Sequence, residues 1–250
     1  MCFDADSAPP IADNGKEVAC KDLNLTSADG TSFAAFEAVA AGTGPAVVVL
    51  PDVRGLYRFY EELAVRFAQA GYDSVAIDYF GRTAGVDKRE NDWDYMPHVQ
   101  QTIAAGVTGD TAAAVAHLRS ADPNRPIFTV GFCFGGSNSW LQAGSGHGLA
   151  GAIGFYGNPL AQYPQGTPTP IEAASDIACP VLGLMGGDDP SIPPDVIAEF
   201  DAALEEAGVS HEIVTYPHAP HSFFDRKQDD YGNESVDAWE RVLKFIAANS

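Results

Sequence analysis

The chain has 250 residues, 46% of them hydrophobic, which is enough for one globular domain with a sizeable core. Its 14 basic and 34 acidic residues give a formal net charge of −20, which excludes a general binder of nucleic acid or of anionic membranes. No apolar run reaches the roughly 20 residues of a membrane span. The N-terminus has no secretory-signal pattern, and the widely spaced cysteines favour a reduced, cytoplasmic protein without a metal site.

The first part of the chain predicts an irregular arm followed by a hairpin. Residues 1–16 are acidic and carry two prolines, so we assign them to an arm, and 17–250 to a single domain. Extended stretches over 18–27 and 32–40 flank an Asp-Gly pair, a sequence typical of a tight turn between antiparallel strands.

The remaining elements alternate between apolar strands and amphipathic helices. Strands are predicted at 46–50, 74–79, 127–130, 149–155, 181–185 and 211–216, and helices at 58–70, 98–120, 194–207 and 233–248. Such alternation is typical of βαβ units. It predicts an α/β fold with a mostly parallel central sheet, helices on both faces and an N-terminal antiparallel hairpin.

A sharp strand-to-helix turn is predicted around Cys133. The sequence Gly131-Phe132-Cys133-Phe134-Gly135 follows a buried strand directly, and it fits the nucleophile-elbow pattern with sulfur in place of the serine oxygen. The glycines would relieve crowding at so tight a bend. The alternative is a buried cysteine that only packs in a glycine-rich turn.

Candidate functional residues follow the predicted strands, because ligands in such sheets collect at the carboxyl ends of the strands. These candidates are Asp52, Arg54, Arg82, Cys133, Tyr156, Asp188, Asp189 and the segment 218–223 with His218 and His221. A thiol, an acid and a histidine occur in the chain order of the α/β-hydrolase triad. The residues alone leave open which aspartate and which histidine would take part.

The motifs together resemble the dienelactone hydrolase family of α/β-hydrolases, over residues from about 17 to the end of the chain. In that family a catalytic cysteine lies in G-x-C-x-G, as in Gly131–Gly135. The acid lies in G-x-x-D-x-x-x-P, matched by Gly186–Pro193, and the histidine begins H-x-F, matched by 221–223.

The resemblance implies a Cys133–His221–Asp189 triad acting on a lactone or carboxylic ester. Cys133 would attack the carbonyl, and His221 would protonate the leaving oxygen and then activate water. The oxyanion would accept hydrogen bonds from the backbone N–H groups of Phe134 and Val53. No metal or organic cofactor is implied.

The sequence departs from the family at positions that contact the substrate. The family's glutamate after the third strand, which helps to deprotonate the thiol, is Asp52 here, which would either keep this role on a shorter side chain or only cap a turn. Arg82 matches one of the two arginines that bind the substrate carboxylate. The second position holds Asp225, so Arg226 or Arg54 would have to replace that arginine.

The leading hypothesis is a hydrolase of a small, carboxylate-bearing lactone or ester, acting as a monomer or homodimer. A second hypothesis is a broad carboxylesterase or thioesterase whose pocket is shaped by 83–97 and 157–170. A third is a non-catalytic relative that binds a small molecule or senses oxidants through Cys133.

Overall fold

The computed structural model describes residues 4, 6–89, 93–162, 164 and 166–250. The strands are β1 Ala19–Thr26, β2 Ser32–Val39, β3 Ala46–Leu50, β4 Asp73–Ile77, β5 Ile127–Phe132, β6 Gly151–Phe155, β7 Val181–Gly186 and β8 His211–Tyr216. The α-helices are α1 Arg58–Ala70, α2 Gly81–Ala84, α3 Met96–Gln101, α4 Ala104–Leu118, α5 Phe134–Ala143, α6 Pro194–Glu206 and α7 Gly232–Ala248. Two 3₁₀ turns lie at Ala174–Asp176 and Asp229–Tyr231.

The strands form one sheet in the order β1-β2-β4-β3-β5-β6-β7-β8. β1 and β2 pair antiparallel as a hairpin, β2 is antiparallel to β4, and every other pair is parallel. The predicted fold class, an α/β-hydrolase fold with a leading antiparallel hairpin, is therefore confirmed. The parallel strands end at one edge of the sheet, and that edge carries the candidate site.

Helices cover the sheet on both faces, because successive side chains of a strand point in opposite directions. In β3, Val47 and Val49 belong to a core cluster with residues of α1 and α7. Val48 and Leu50 belong to a second cluster with residues of α4. All five residues of β3 are fully buried, as expected of a central strand covered on both sides.

The predicted single helix over 98–120 is wrong. Two helices, α3 and α4, occupy this stretch, and Thr102 between them has an extended backbone with ψ of 132°. The backbone N–H and the hydroxyl of Thr102 donate to the carbonyls of Val99 and His98, which closes α3. None of the helices in the described ranges is long and apolar enough to cross a membrane.

The N-terminal arm is tied to the loop that follows β8. Ser7 is buried, and its hydroxyl donates a 2.6 Å hydrogen bond to Asp225 Oδ2. The Arg226 N–H donates to the carbonyl of Ala8, and Lys227 forms ion pairs with acidic residues of the arm. The described part of 1–16 has no helix or strand, yet these contacts give it a defined position.

Candidate active site

Cys133 lies at the apex of the turn between β5 and α5, with φ of 54° and ψ of −113°. A positive φ is strained for a residue with a side chain, so the surrounding backbone must hold it. A Cβ on Gly131 would lie 1.9 Å from the Gly135 carbonyl oxygen, and a Cβ on Gly135 would lie 2.0 Å from that of Leu50. Both glycines are therefore required by steric contact.

His221 and Asp189 are joined by a short hydrogen bond, from His221 Nδ1 to Asp189 Oδ2, of 2.5 Å. The other carboxylate oxygen of Asp189 accepts hydrogen bonds from the backbone N–H and the hydroxyl of Ser191, at 2.9 and 2.6 Å. By contrast, Asp188 pairs with the exposed His218 at 3.2 Å. Of the two candidate pairs, only Asp189 and His221 form a buried one.

The electrostatics of this pair favour a charged imidazolium. Burial by itself lowers the pKa of His221, but hydrogen bonds to Asp189 and Cys133 outweigh it and raise the pKa to about 9. Burial raises the pKa of Asp189, yet the hydrogen bonds from His221 and Ser191 outweigh burial and hold that pKa below its usual value. At neutral pH, Asp189 is therefore ionised and His221 is protonated.

The loop that carries His221 is anchored by aromatic packing. Phe223 is fully buried, with its ring centroid 5.0 Å from that of Tyr216 and 5.7 Å from that of Tyr156. The Tyr156 ring in turn lies 4.9 Å from the imidazole of His221. The phenylalanine of the H-x-F motif thus fixes the loop, and Tyr156 supports the histidine directly.

A cavity of about 480 Å³ brings the predicted nucleophile and histidine together. Its lining consists of Val53, Cys133, Phe134, Ser137, Tyr156, Asn158, Leu160, Ala161, Gln162, Ser191 and His221. Both predicted oxyanion-hole residues are among them. Phe134 is the first residue of α5, where backbone N–H groups have no acceptor within the helix.

Asp52 is buried and is not among the residues that line the cavity. Its carboxylate accepts hydrogen bonds from the Arg54 backbone N–H at 2.9 Å and from the Arg54 guanidinium at 3.1 Å. The Tyr57 hydroxyl also donates to it, at 3.3 Å. Asp52 thus closes a turn and binds a cation, while its action on Cys133 stays a prediction.

The predicted carboxylate-binding arginines are not in the cavity lining. Arg82 donates to the buried Asp110 at 2.7 Å and to Asp29 at 2.9 Å, which directs it towards α4 and the hairpin turn. Arg226 binds the backbone of the N-terminal arm. Arg54 pairs with Asp52. Binding of a substrate carboxylate by Arg82, Arg226 or Arg54 stays a prediction, and these contacts do not favour it.

Sequence reasoning missed several residues that build the site. Ser191 orients Asp189, and the segment after β6 supplies Asn158, Leu160 and two further residues of the lining. The Asp-x-Ser spacing at 189–191, a common turn pattern, was a usable signal for Ser191. The broader prediction that 157–170 shapes the pocket agrees with the lining, whereas no described residue of 83–97 contributes to it.

Among the residues that the structure describes, the other thiols and the acidic groups suggest no second reactive centre. None of the described cysteines forms a disulfide. Cys20 is exposed on β1, and burial raises the pKa of Cys179 to about 11, which keeps that thiol protonated. In the ranges that the structure describes, no group of three or more His, Cys, Asp or Glu is arranged to hold a metal ion.

Comparison with known proteins shows which chains are similar to this one. Residues 33–250 match the family model described as "Dienelactone hydrolase family". A Salmonella typhimurium protein provisionally named carboxymethylenebutenolidase is 31% identical over 215 residues, which span 82% of this chain and 78% of the relative. A Bradyrhizobium protein provisionally named 2-oxo-3-(5-oxofuran-2-ylidene)propanoate lactonase is 27% identical over 219 residues, or 83% and 85% of the two chains. A crystal structure of a Klebsiella pneumoniae protein, provisionally described as a dienelactone hydrolase, superposes with a TM-score of 0.78 and 29% sequence identity. The superposition covers 92% of this chain and 99% of the Klebsiella chain.

Proposed function

Since the chain belongs to the dienelactone hydrolase family, and so is a hydrolase of lactones or esters, we propose that it cleaves its substrate through a Cys133–His221–Asp189 triad. One observation carries this proposal: Cys133 on the strained elbow and His221, hydrogen-bonded to the buried Asp189, line the same cavity. Nucleophile, base and orienting acid are the parts that acyl transfer requires.

The first half-reaction forms a thioester. The Cys133 thiolate attacks the carbonyl carbon of the substrate, and the carbonyl electrons move onto oxygen to give a tetrahedral oxyanion. The backbone N–H groups of Val53 and Phe134 donate hydrogen bonds to that oxygen. When the intermediate collapses, the C–O bond breaks, and the leaving alkoxide takes the proton from His221 Nε2.

The second half-reaction returns the enzyme to its starting state. His221, now neutral, takes a proton from water as the water attacks the thioester carbonyl. The C–S bond then breaks, the acid product leaves, and the thiolate–imidazolium pair is restored. Throughout, Asp189 accepts a hydrogen bond from the Nδ1–H group of His221, so that Nε2 is the nitrogen that exchanges protons with the substrate.

The lining also supports a second candidate, a broad carboxylesterase or thioesterase. Leu160, Ala161 and Gln162 form part of the cavity, and Leu160 and Gln162 are exposed, which favours acceptance of acyl groups of varied shape. A cytoplasmic location and a monomeric or homodimeric state stay predictions.

The decisive experiment compares p-nitrophenyl acetate hydrolysis by the wild type and by Cys133→Ala. We expect turnover to be lost in the variant, while Cys20→Ala, which changes an exposed thiol on β1, keeps wild-type activity. Iodoacetamide should label Cys133 faster than Cys20 or Cys179 and should stop turnover. Ester hydrolysis that survives complete alkylation of Cys133 would contradict the proposed nucleophile.

A further inference from the structure

The charged residues around the cavity bear on the kind of substrate it accepts. All 14 lysines and arginines of the chain lie in the described ranges, and none of them is among the residues that line the cavity. Each has a carboxylate or carbonyl partner elsewhere. The described cavity therefore has no lysine or arginine to receive a substrate carboxylate.

Apart from His221, whose charge is paired with Asp189, the lining offers neutral contacts in place of a cation. Val53, Phe134, Leu160 and Ala161 present apolar surface next to Cys133. The polar members beyond the triad are amides, hydroxyls and a phenol, of which Asn158 is held by a hydrogen bond to the Ser191 carbonyl. Such groups bind uncharged chains and ester oxygens, and they compensate the desolvation of a carboxylate less well than a cation does.

Arg54 is the cation nearest to the lining in sequence, and it is held in place on several sides. Its guanidinium bonds Asp52 and the Tyr57 hydroxyl, and its Cζ lies 4.3 Å from the centre of the Tyr57 ring. Turning Arg54 towards a substrate anion would leave the buried carboxylate of Asp52 without its charge partner. Removing the partner of a buried charge is strongly unfavourable.

We propose that the cavity selects uncharged esters or lactones with a small apolar acyl group and discriminates against substrates that carry a carboxylate. This inference rests on the proposed function, because it concerns the acyl group delivered to Cys133. It reverses the expectation of an anionic substrate. Apart from the paired His221, the lining carries no charge, and Arg54, the nearest arginine in sequence, is bound to the buried Asp52.

The test uses two esters with the same acyl chain, one of which ends in a carboxylate and the other in the corresponding methyl ester. Mono-p-nitrophenyl glutarate carries a terminal carboxylate, and its methyl ester is neutral; release of p-nitrophenol is measured after subtraction of the uncatalysed rate. We expect kcat/KM to be at least tenfold higher for the neutral ester. The ratio should persist in 0.5 M NaCl, which screens the long-range repulsion from the acidic surface but not a local desolvation cost.

Two substitutions at Leu160, which is 46% exposed at the cavity, sharpen the test. Leu160→Arg adds a cation and should shift the ratio at least fivefold towards the anionic ester, whereas Leu160→Gln, which is polar but uncharged, should leave it unchanged. Arg54→Gln should not lower the relative rate of the anionic ester.

The outcomes separate the two proposals. A wild-type preference for the anionic ester, or its selective loss in Arg54→Gln, would overturn the inference while leaving hydrolysis at Cys133 intact. If neither ester is hydrolysed, or if Cys133→Ala hydrolyses both at the wild-type rate, the proposed function itself fails and the inference fails with it.

Discussion

Replacement of Asp189 by asparagine tests the triad at the group that never touches the substrate. In the wild type, Oδ2 accepts a 2.5 Å hydrogen bond from His221 Nδ1, while Oδ1 accepts two hydrogen bonds from Ser191. If the side-chain amide of the Asp189→Asn variant keeps the Ser191 contacts with its oxygen, its NH₂ group faces His221. The imidazole must then present Nδ1 as an acceptor, which places its proton on Nε2.

That tautomer cannot take a proton from the thiol or from water. In serine enzymes the equivalent change lowers kcat about 10⁴-fold. A thiol is intrinsically more acidic than a hydroxyl, so we expect a loss on the order of 10³-fold here, or about 4 kcal/mol in the activation barrier. The fall should appear mainly in kcat, since Asp189 is not among the residues that line the cavity.

The assay is p-nitrophenyl butyrate hydrolysis, with Asp188→Asn as the matched control. Asp188 is the adjacent residue in the chain, but its carboxylate is 61% exposed and pairs only with the exposed His218. We expect near wild-type kcat and unchanged thermal unfolding in the control, whereas Asp189→Asn should still fold but with a lowered Tm, because His221 loses its charge partner. A mild effect of Asp189→Asn, or a comparable loss in Asp188→Asn, would refute the assignment of the acid.

Other parts of the structure give three further predictions. Hydrogen bonds to Asp189 and Cys133 outweigh burial and raise the pKa of His221 to about 9. Because the protonated imidazole is lost as the pH rises through that value, kcat/KM should fall above about pH 9. A fall that begins near pH 6.5, the ordinary pKa of histidine, would contradict this prediction. Arg82→Ala leaves the buried Asp110 without its cation and should lower the free energy of unfolding by about 3 kcal/mol, or Tm by roughly 6–12 °C, with KM for a neutral ester unchanged. The surface variant Arg58→Ala should lower the stability little. A raised KM without a fall in Tm would restore a substrate role for Arg82. Gly135→Ala should fold poorly, if at all, because its Cβ would lie 2.0 Å from a backbone oxygen, whereas Gly42→Ala meets no atom within 4 Å; equal expression and stability of the two would contradict the steric argument.

Features set by local sterics were predictable from the sequence. Gly131 is needed by a contact within the turn and Gly135 by a contact with Leu50 of the neighbouring strand β3, so the spacing of the two glycines indicated the sharp turn. The all-apolar β3 could be placed inside a two-sided sheet for a similar reason, since only a strand buried on both faces lacks polar positions. These features defined the fold and the edge of the sheet that carries the site.

Features set by distant partners were not predictable in the same way. Arg82 follows a strand, as a substrate-binding residue would, but its direction is decided by Asp110 and Asp29, which are 28 and 53 residues away in the chain. The break at Thr102 was not predicted because the alanine-rich sequence that follows it favours helix. The cavity lining from 158–162 depends on how an irregular loop packs, which no periodicity describes.

The hydrogen bonds and ion pairs between the N-terminal arm and residues 225–227 have a practical consequence for handling the protein. Ser7 and Ala8 bind a loop that begins four residues after His221, so whatever disturbs the arm is transmitted to the segment carrying the proposed base. An affinity tag or a trimmed boundary at this end would loosen that segment and lower measured activity without any change in the cavity itself. Kinetic comparisons between preparations are therefore meaningful only when residues 4–9 are kept native.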